Sequence, residues 1–159
     1  IVNDSLPVSN GFSFITRPFE KEMEFNGSYF GALKLIINKK DMDYSIVMYE
    51  QTPEGKYFKL TQHHIGRANL SKDKEKRQLL RPNQMELVPF TNVKMTSKKL
   101  RKGSRLILVL NVNKHPHDQV NYGSGKDVSD ETIKDAQEPL EIKWFNDSYV
   151  KIPVLIGKD

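Results

Sequence analysis

The sequence predicts an all-β sandwich, and three observations carry that prediction. About eight short runs of aliphatic, β-branched and aromatic residues recur along the chain. Gly, Pro, Asn and Asp turn signals separate most of them, and a single short stretch reads as helix. The most telling run is Arg105–Val112 (RLILVLNV), with Leu106, Leu108, Leu110 and Val112 on one alternating face and Ile107 and Val109 on the other. A strand without a polar face must be covered on both sides, so this one belongs inside a sheet rather than at its rim. Gly103 turns the chain into it, and His115-Pro116 ends it, because proline cannot donate to a ladder.

Residues 1–10 are polar and punctuated by Pro7, and read as a lead-in to one domain over 11–159. Phe12 and Phe14 flank Ser13 ahead of Arg17-Pro18, which predicts a short edge strand stopped by proline. Asn26-Gly27 marks a turn. Residues 29–37 then alternate, with Leu33, Leu35 and Ile37 on one face and Lys34 on the other. Residues 39–43 (KKDMD) form a short polar connection into the strand 44–51. There Tyr44, Ile46 and Met48 share one face, and Val47 and Tyr49 the other. Thr52-Pro53-Glu54-Gly55 is a tight turn: proline fixes φ and glycine accepts positive φ.

The charged stretch 72–80 is either two helical turns, with Asp73 and Arg77 at helical spacing, or a loop, and Arg81-Pro82 stops it. Residues 85–93 return to a strand that Pro89 must bend or place at an edge. Beyond the central strand, 129–136 predicts a short helix capped by Asp127 or Ser129. Leu140, Ile142 and Trp144 alternate with Glu141 and Lys143, Asn146-Asp147-Ser148 turns the chain, and 149–155 closes the sheet. Trp144 shares a face with two aliphatic residues, which favours a core position over an exposed sugar platform.

Several of these segments resemble one family. The run KGSRLILVLNVNKHPHDQVNYGSGKDVSDET (102–132), the hairpin DYSIVMYEQTPEG (43–55), the strand 29–37, Gly66-Arg67-Ala68 and Ile152-Pro153-Val154 are its carriers. Together they resemble the C-terminal domain of the X-Pro dipeptidyl-peptidase and cocaine esterase-like (CocE/NonD) serine hydrolases. That resemblance implies a galactose-binding-like jelly roll with one or two short helices. It also implies a partner, the α/β-hydrolase catalytic domain of the same polypeptide, which would carry the triad. The sandwich would then supply stability, a wall for the substrate cleft, or a homo-oligomer contact. Its expected setting is a bacterial cytoplasm or periplasm. The Gly- and Asn-rich loop after the central strand is the candidate cleft or interdomain contact, through His115, His117, Asn121, Tyr122 and Lys126, set against an ordinary surface turn.

Composition narrows the alternatives. A chain of 159 residues is long enough to bury a core without staples, and it has no cysteine, hence neither a disulfide nor a thiol nucleophile. No apolar run approaches the roughly 20 residues of a membrane helix. The first residues, IVNDS, show no signal peptide and no initiator methionine, as in a processed or excised chain. The net charge of +5 gathers at 72–81 and 94–105, but the first cluster is mixed in sign and the second lacks aromatics. That favours a solvated face over a nucleic-acid footprint.

Catalytic signatures are missing. Gly27-Ser28 and Tyr122-Gly123-Ser124-Gly125 each lack part of the G-x-S-x-G elbow, and Ser28 leads into a strand where an elbow needs a helix. No catalytic residue is therefore expected in this chain. The pair His115 and His117 has the spacing of metal ligands in cupin jelly rolls. Its proline and the lack of a third ligand argue against a metal, and His63 and His64 are adjacent, so they face opposite ways. No phosphate-cradling motif appears, and no cofactor is expected. A free-standing carbohydrate-binding jelly roll is the alternative function, and it would need an exposed aromatic row.

Overall fold

A computed structural model describes residues 2–7, 11–113 and 117–156. These residues form thirteen strands and no α-helix: β1 Val2–Asn3, β2 Phe12–Ile15, β3 Met23–Gly27, β4 Phe30–Ile37, β5 Asp43–Gln51, β6 Tyr57–Lys59, β7 His64–Arg67, β8 Met85–Thr91, β9 Thr96–Leu100, β10 Arg105–Val112, β11 Ile142–Trp144, β12 Tyr149–Lys151 and β13 Val154–Ile156. The all-β sandwich is the observed fold. The strand number exceeds eight because the run expected over 149–155 divides into β12 and β13, residues 57–70 hold both β6 and β7, and β1, β3 and β9 lie where no strand was expected.

One layer is a six-stranded antiparallel sheet in the order β1-β6-β5-β10-β2, with β7 pairing β5 beyond β6. The other layer is built on β4, flanked by β8 on one side and by β11 and β12 end to end on the other, with a separate ladder β13-β3-β9. The core lies between the layers. Tyr44, Ile46 and Met48 of β5 and Leu106 and Leu110 of β10 meet Leu33, Leu35 and Ile37 of β4, Val88 and Phe90 of β8, Phe25 of β3 and Leu100 of β9. The opposite face of β5 and β10 holds Val47, Tyr49, Ile107 and Val109, covered by Leu6 and Tyr57. Both faces of β10 are thus buried, as its composition requires. Leu6 comes from the segment read as a lead-in, in which Val2–Asn3 also pair with Phe58 and Tyr57 of β6.

The proline positions are explained by the ladders. β2 sits at the rim of its sheet, and β8, with Pro89 opposite Ala32, pairs only with β4 among the described residues. Gly55, at φ +80°, donates to the Thr52 carbonyl at 2.9 Å and closes the turn between β5 and β6.

Some expectations shift. Asn26 and Gly27 end β3 rather than forming the turn, with Gly27 at φ +135°. Of the two readings open for 72–80 the loop is the observed one: Asp73 Oδ1 accepts from the backbone N–H groups of Glu75 and Lys76, a local turn that competes with helix. The expected helix at 129–136 is two 3-10 turns. Asp127 caps Val128–Asp130 by accepting from the Ser129 N–H, and Thr132 and Asp135 form a capping box around Ile133–Ala136. The basic stretch 94–105 is not simply a solvated face. It contains β9, in which Lys98 lies 4.5 Å over the Phe58 ring while Lys99 pairs with Glu22 at 2.6 Å. Among the described residues, no helix is long and apolar enough to cross a membrane.

Candidate functional site

The loop that follows β10 is pinned from beneath by buried carboxylates. Asp41 and Asp43 stand two apart at the start of β5, and both are buried although the sequence reads as a polar connection. Burial of a carboxylate needs donors, and the fold supplies them. Asp41 accepts from the Asn69 backbone N–H and the Asn69 amide, both at 2.9 Å, and from Asn121 Nδ2 at 2.8 Å. Asn121 Nδ2 also lies 2.8 Å from Asp43 Oδ1. The guanidinium of Arg67 closes the other side of Asp43 with Nε to Oδ1 at 3.1 Å and Nη2 to Oδ2 at 3.2 Å. Burial pushes the Asp41 carboxyl above its usual range, against the pull of these donors, and the bonds to Asp43 hold the Arg67 guanidinium more firmly charged.

Beyond Asn121 a third carboxylate grips the loop. Glu131 accepts from the backbone N–H of Tyr122 at 2.7 Å, from that of Ser124 at 2.8 Å, and from Ser124 Oγ at 2.5 Å. The backbone comes very close to the strand connection at Gly123. A Cβ there would stand 2.7 Å from Lys39 Cβ and 2.8 Å from the Asp41 carbonyl oxygen, and φ is +78°. Glycine alone fits that approach. Arg77 donates to the carbonyls of Gly125 and Lys126, which ties the 72–81 cluster to the far end of the loop.

The sequence-derived candidates separate at this point. Asn121 and Tyr122 line a groove of about 300 Å³ whose walls include Val112, Val120, Pro139 and Leu140. Lys126 is exposed and pairs with Asp135 at 2.5 Å, a contact that raises its basicity. His117 is exposed and is not among the residues lining that groove. His115 lies outside the described residues. Among the described residues no group of three or more His, Cys, Asp or Glu is placed to hold a metal ion.

Chemically, this arrangement positions a loop. Each carboxylate spends its oxygens on backbone and side-chain donors, and Ser124 Oγ donates to Glu131. Ser28 sits in the connection between β3 and β4, with a strand after it. Trp144 is half-buried and packs against the main core, as its shared face with Leu140 and Ile142 suggests.

Sequence reasoning missed Asp41, Arg67, Asn69 and Glu131. The spacing Asp41-x-Asp43 at a strand start was the one available signal, since residues two apart share a face. The partners of Asp41 and Asp43 lie 24 to 80 positions away, and nothing local announces them.

No family model matches the chain, and no curated protein sequence matches it. Solved structures do. An α-amino acid ester hydrolase matches with a TM-score of 0.80 and 17% identity, over 90% of this chain and 25% of its own. An aminopeptidase from a marine-sediment Thaumarchaeota archaeon gives 0.76 and 14%, over 91% of this chain and 25% of that one. A CocE/NonD family hydrolase from Staphylococcus aureus gives 0.64 and 15%, over 91% and 30%. The chain therefore spans only a quarter to three tenths of the length of the solved proteins it matches. The motif resemblance and the structural likeness lead to the same hydrolases, and at these identities the likeness is one of fold: this chain has the β-sandwich fold of one part of those larger enzymes.

Proposed function

We propose that this chain is the C-terminal accessory domain of a larger α/β-hydrolase-type serine hydrolase that acts on peptide, ester or amide bonds. The observation that carries this reading is the match of nine tenths of the chain to only a quarter of an ester hydrolase chain. In this reading the sandwich is a galactose-binding-like jelly roll, and the nucleophile, acid and base belong to a catalytic domain on the same polypeptide. The incomplete elbows at Ser28 and Ser124 and the carboxylates already committed to loop donors support that division of labour.

The loop carrying His117, Asn121, Tyr122 and Lys126, together with His115, is the part that faces the catalytic domain. Its anchoring by Asp41, Asp43 and Glu131 supports this, because a cleft wall must hold its shape while substrate binds. The test compares this chain with the full reading frame on p-nitrophenyl esters and a Gly-Pro anilide. Hydrolysis by the longer protein alone is the expected result, and hydrolysis by this chain refutes the reading. Tyr122→Ala in the longer protein is expected to raise KM; unchanged KM and unchanged stability refute the cleft-wall role.

A further inference from the structure

The gap between the two layers stays open beside β2. On one side β2 pairs with only four residues of β10, Ile107 to Leu110. On the other the chain leaves β4 after Trp144, opposite Leu35, and rejoins it at Tyr149, opposite Ala32. In that break the Lys34 N–H donates to Ser148 Oγ at 2.9 Å in place of a ladder partner. The result is a groove of about 440 Å³, with Phe14 from one layer and Trp144 and Val150 from the other among its walls. Leu33 and Leu110, each 3% exposed, also line it, so its floor is core rather than surface. Close-packed interiors leave few voids larger than a water molecule, and this one has the size of a small-molecule site.

The lining decides what such a molecule can be. Among the described residues that line the groove there is no Asp, Glu, Lys, Arg or His. Thr16 Oγ1 accepts from the Leu106 N–H at 3.0 Å, and Ser148 Oγ donates to the Phe145 carbonyl at 2.7 Å, so both hydroxyls are already engaged. Asn146 and Tyr149 line the groove and are exposed, which sets a neutral amide and a phenol at its mouth. An ionised ligand entering here would shed its hydration and meet no counter-ion, whereas a hydrocarbon gains by leaving water.

We infer that this groove binds a small uncharged amphiphile, a hydrocarbon chain seated on Leu33, Leu108 and Leu110 with its neutral polar end at Asn146 and Tyr149. A pocket floored by core side chains takes a slender molecule in preference to a folded surface. The site is separate from the loop that carries Asn121 and Tyr122, and the inference does not depend on what a longer polypeptide catalyses.

The experiment uses N-phenyl-1-naphthylamine, a neutral dye that brightens in apolar surroundings. Trp144 is the only tryptophan of the chain and lines the groove, so energy transfer from it to the dye reports this site in the 159-residue chain. At pH 8, 1-decanol is expected to displace the dye at a concentration about tenfold or more below that of decanoate, whose carboxylate meets no cation. Phe14→Glu places a charge in the wall at a strand position that is 54% exposed, so the melting temperature holds. It is expected to weaken dye and decanol binding by about tenfold or more. Leu108→Phe, at a half-buried position, fills the groove without a charge and is expected to weaken both as well. In the full reading frame, the dye signal that Phe14→Glu removes is expected to persist with the same preference for decanol, and that arm decides if the shorter chain shows no melting transition.

Absence of transfer from Trp144, equal potency of decanol and decanoate, or variants that bind like the wild type overturn the inference. So does binding that vanishes in the full reading frame, which would make the groove an internal contact of the longer protein. Dye release with rising protein concentration, alongside a dimer mass, overturns it in favour of a second copy.

Discussion

Asn121 Nδ2 donates to Asp41 Oδ2 at 2.8 Å across 80 positions of sequence, and that bond joins the loop after β10 to the entry of β5. Asp41 is only 1% exposed, so no water replaces the amide if it is removed. Asn121→Ala is therefore expected to cost about 1–3 kcal/mol. It should also speed amide exchange at Tyr122 and Ser124 ahead of the rest of the sheet. Denaturant unfolding and hydrogen exchange check this; an unchanged midpoint with unchanged exchange would mean that the loop is held without the bond.

Gly31 is constrained by close packing rather than by a turn. A Cβ there would stand 2.1 Å from the Tyr149 carbonyl oxygen and 2.7 Å from Phe90 Cζ. One of the two obstacles is backbone, which cannot swing aside. Gly31→Ala is expected to part β12 from β4 and to destabilise by at least about 1–3 kcal/mol. Thermal unfolding measures it, with Gly55→Ala as a comparison: nothing lies within 4 Å of a Cβ there, and only the positive φ opposes it.

His64 gives the fold an acid-sensitive point. Its ring lies 5.9 to 6.4 Å from the rings of Tyr29, Tyr44 and Phe90, and its Nε2 is buried without a hydrogen-bond partner. Burial, aided by the charge of Lys74, pulls its pKa below the ordinary 6.5. The folded state thus favours the neutral ring, and the unfolded chain binds the proton more readily. Stability is expected to fall as pH drops below 6.5 and to stop falling on this account once the folded pKa is passed. His64→Phe keeps the aromatic contacts and should flatten that slope. Denaturant midpoints from pH 7.5 to pH 5 test it, and parallel slopes in the two proteins would contradict it.

A second, lower window belongs to Glu86. It is 3% exposed and accepts from Arg81 Nε at 2.7 Å, the Arg81 N–H at 3.1 Å and Lys72 Nζ at 3.2 Å. Burial alone would push its pKa up, but these donors outweigh it and hold the carboxyl below 4.5. Its stabilising contribution is present above pH 4.5 and is lost as pH falls through the lower folded pKa. Glu86→Gln should remove this loss and weaken the wild-type fold at neutral pH, as paired midpoints at pH 7 and pH 3.5 would show.

The long strands were legible because alternation over eight or nine residues assigns every side chain to a face. β4, β5 and β10 were read with their faces correct, down to Val47 and Tyr49 on the side of β5 that Leu6 and Tyr57 cover. β3 and β9 were not read. In β9, Lys98 and Lys99 masked a pattern whose only buried residue is Leu100, and such a strand is defined by its neighbours rather than by itself. The candidate loop was found from its composition, Gly and Asn after a central strand. Its anchors were not, because a buried Asp41 looks in sequence like any solvated turn residue until Asn69 and Asn121 are brought to it.

The most direct test of the account is to locate the reactive serine. The full reading frame is treated with a fluorophosphonate probe, digested, and the modified peptide identified by mass spectrometry. The account expects a single labelled serine outside these 159 residues, and no label on this chain expressed alone. A probe adduct on Ser28 or Ser124 would contradict it and make this sandwich the catalytic unit.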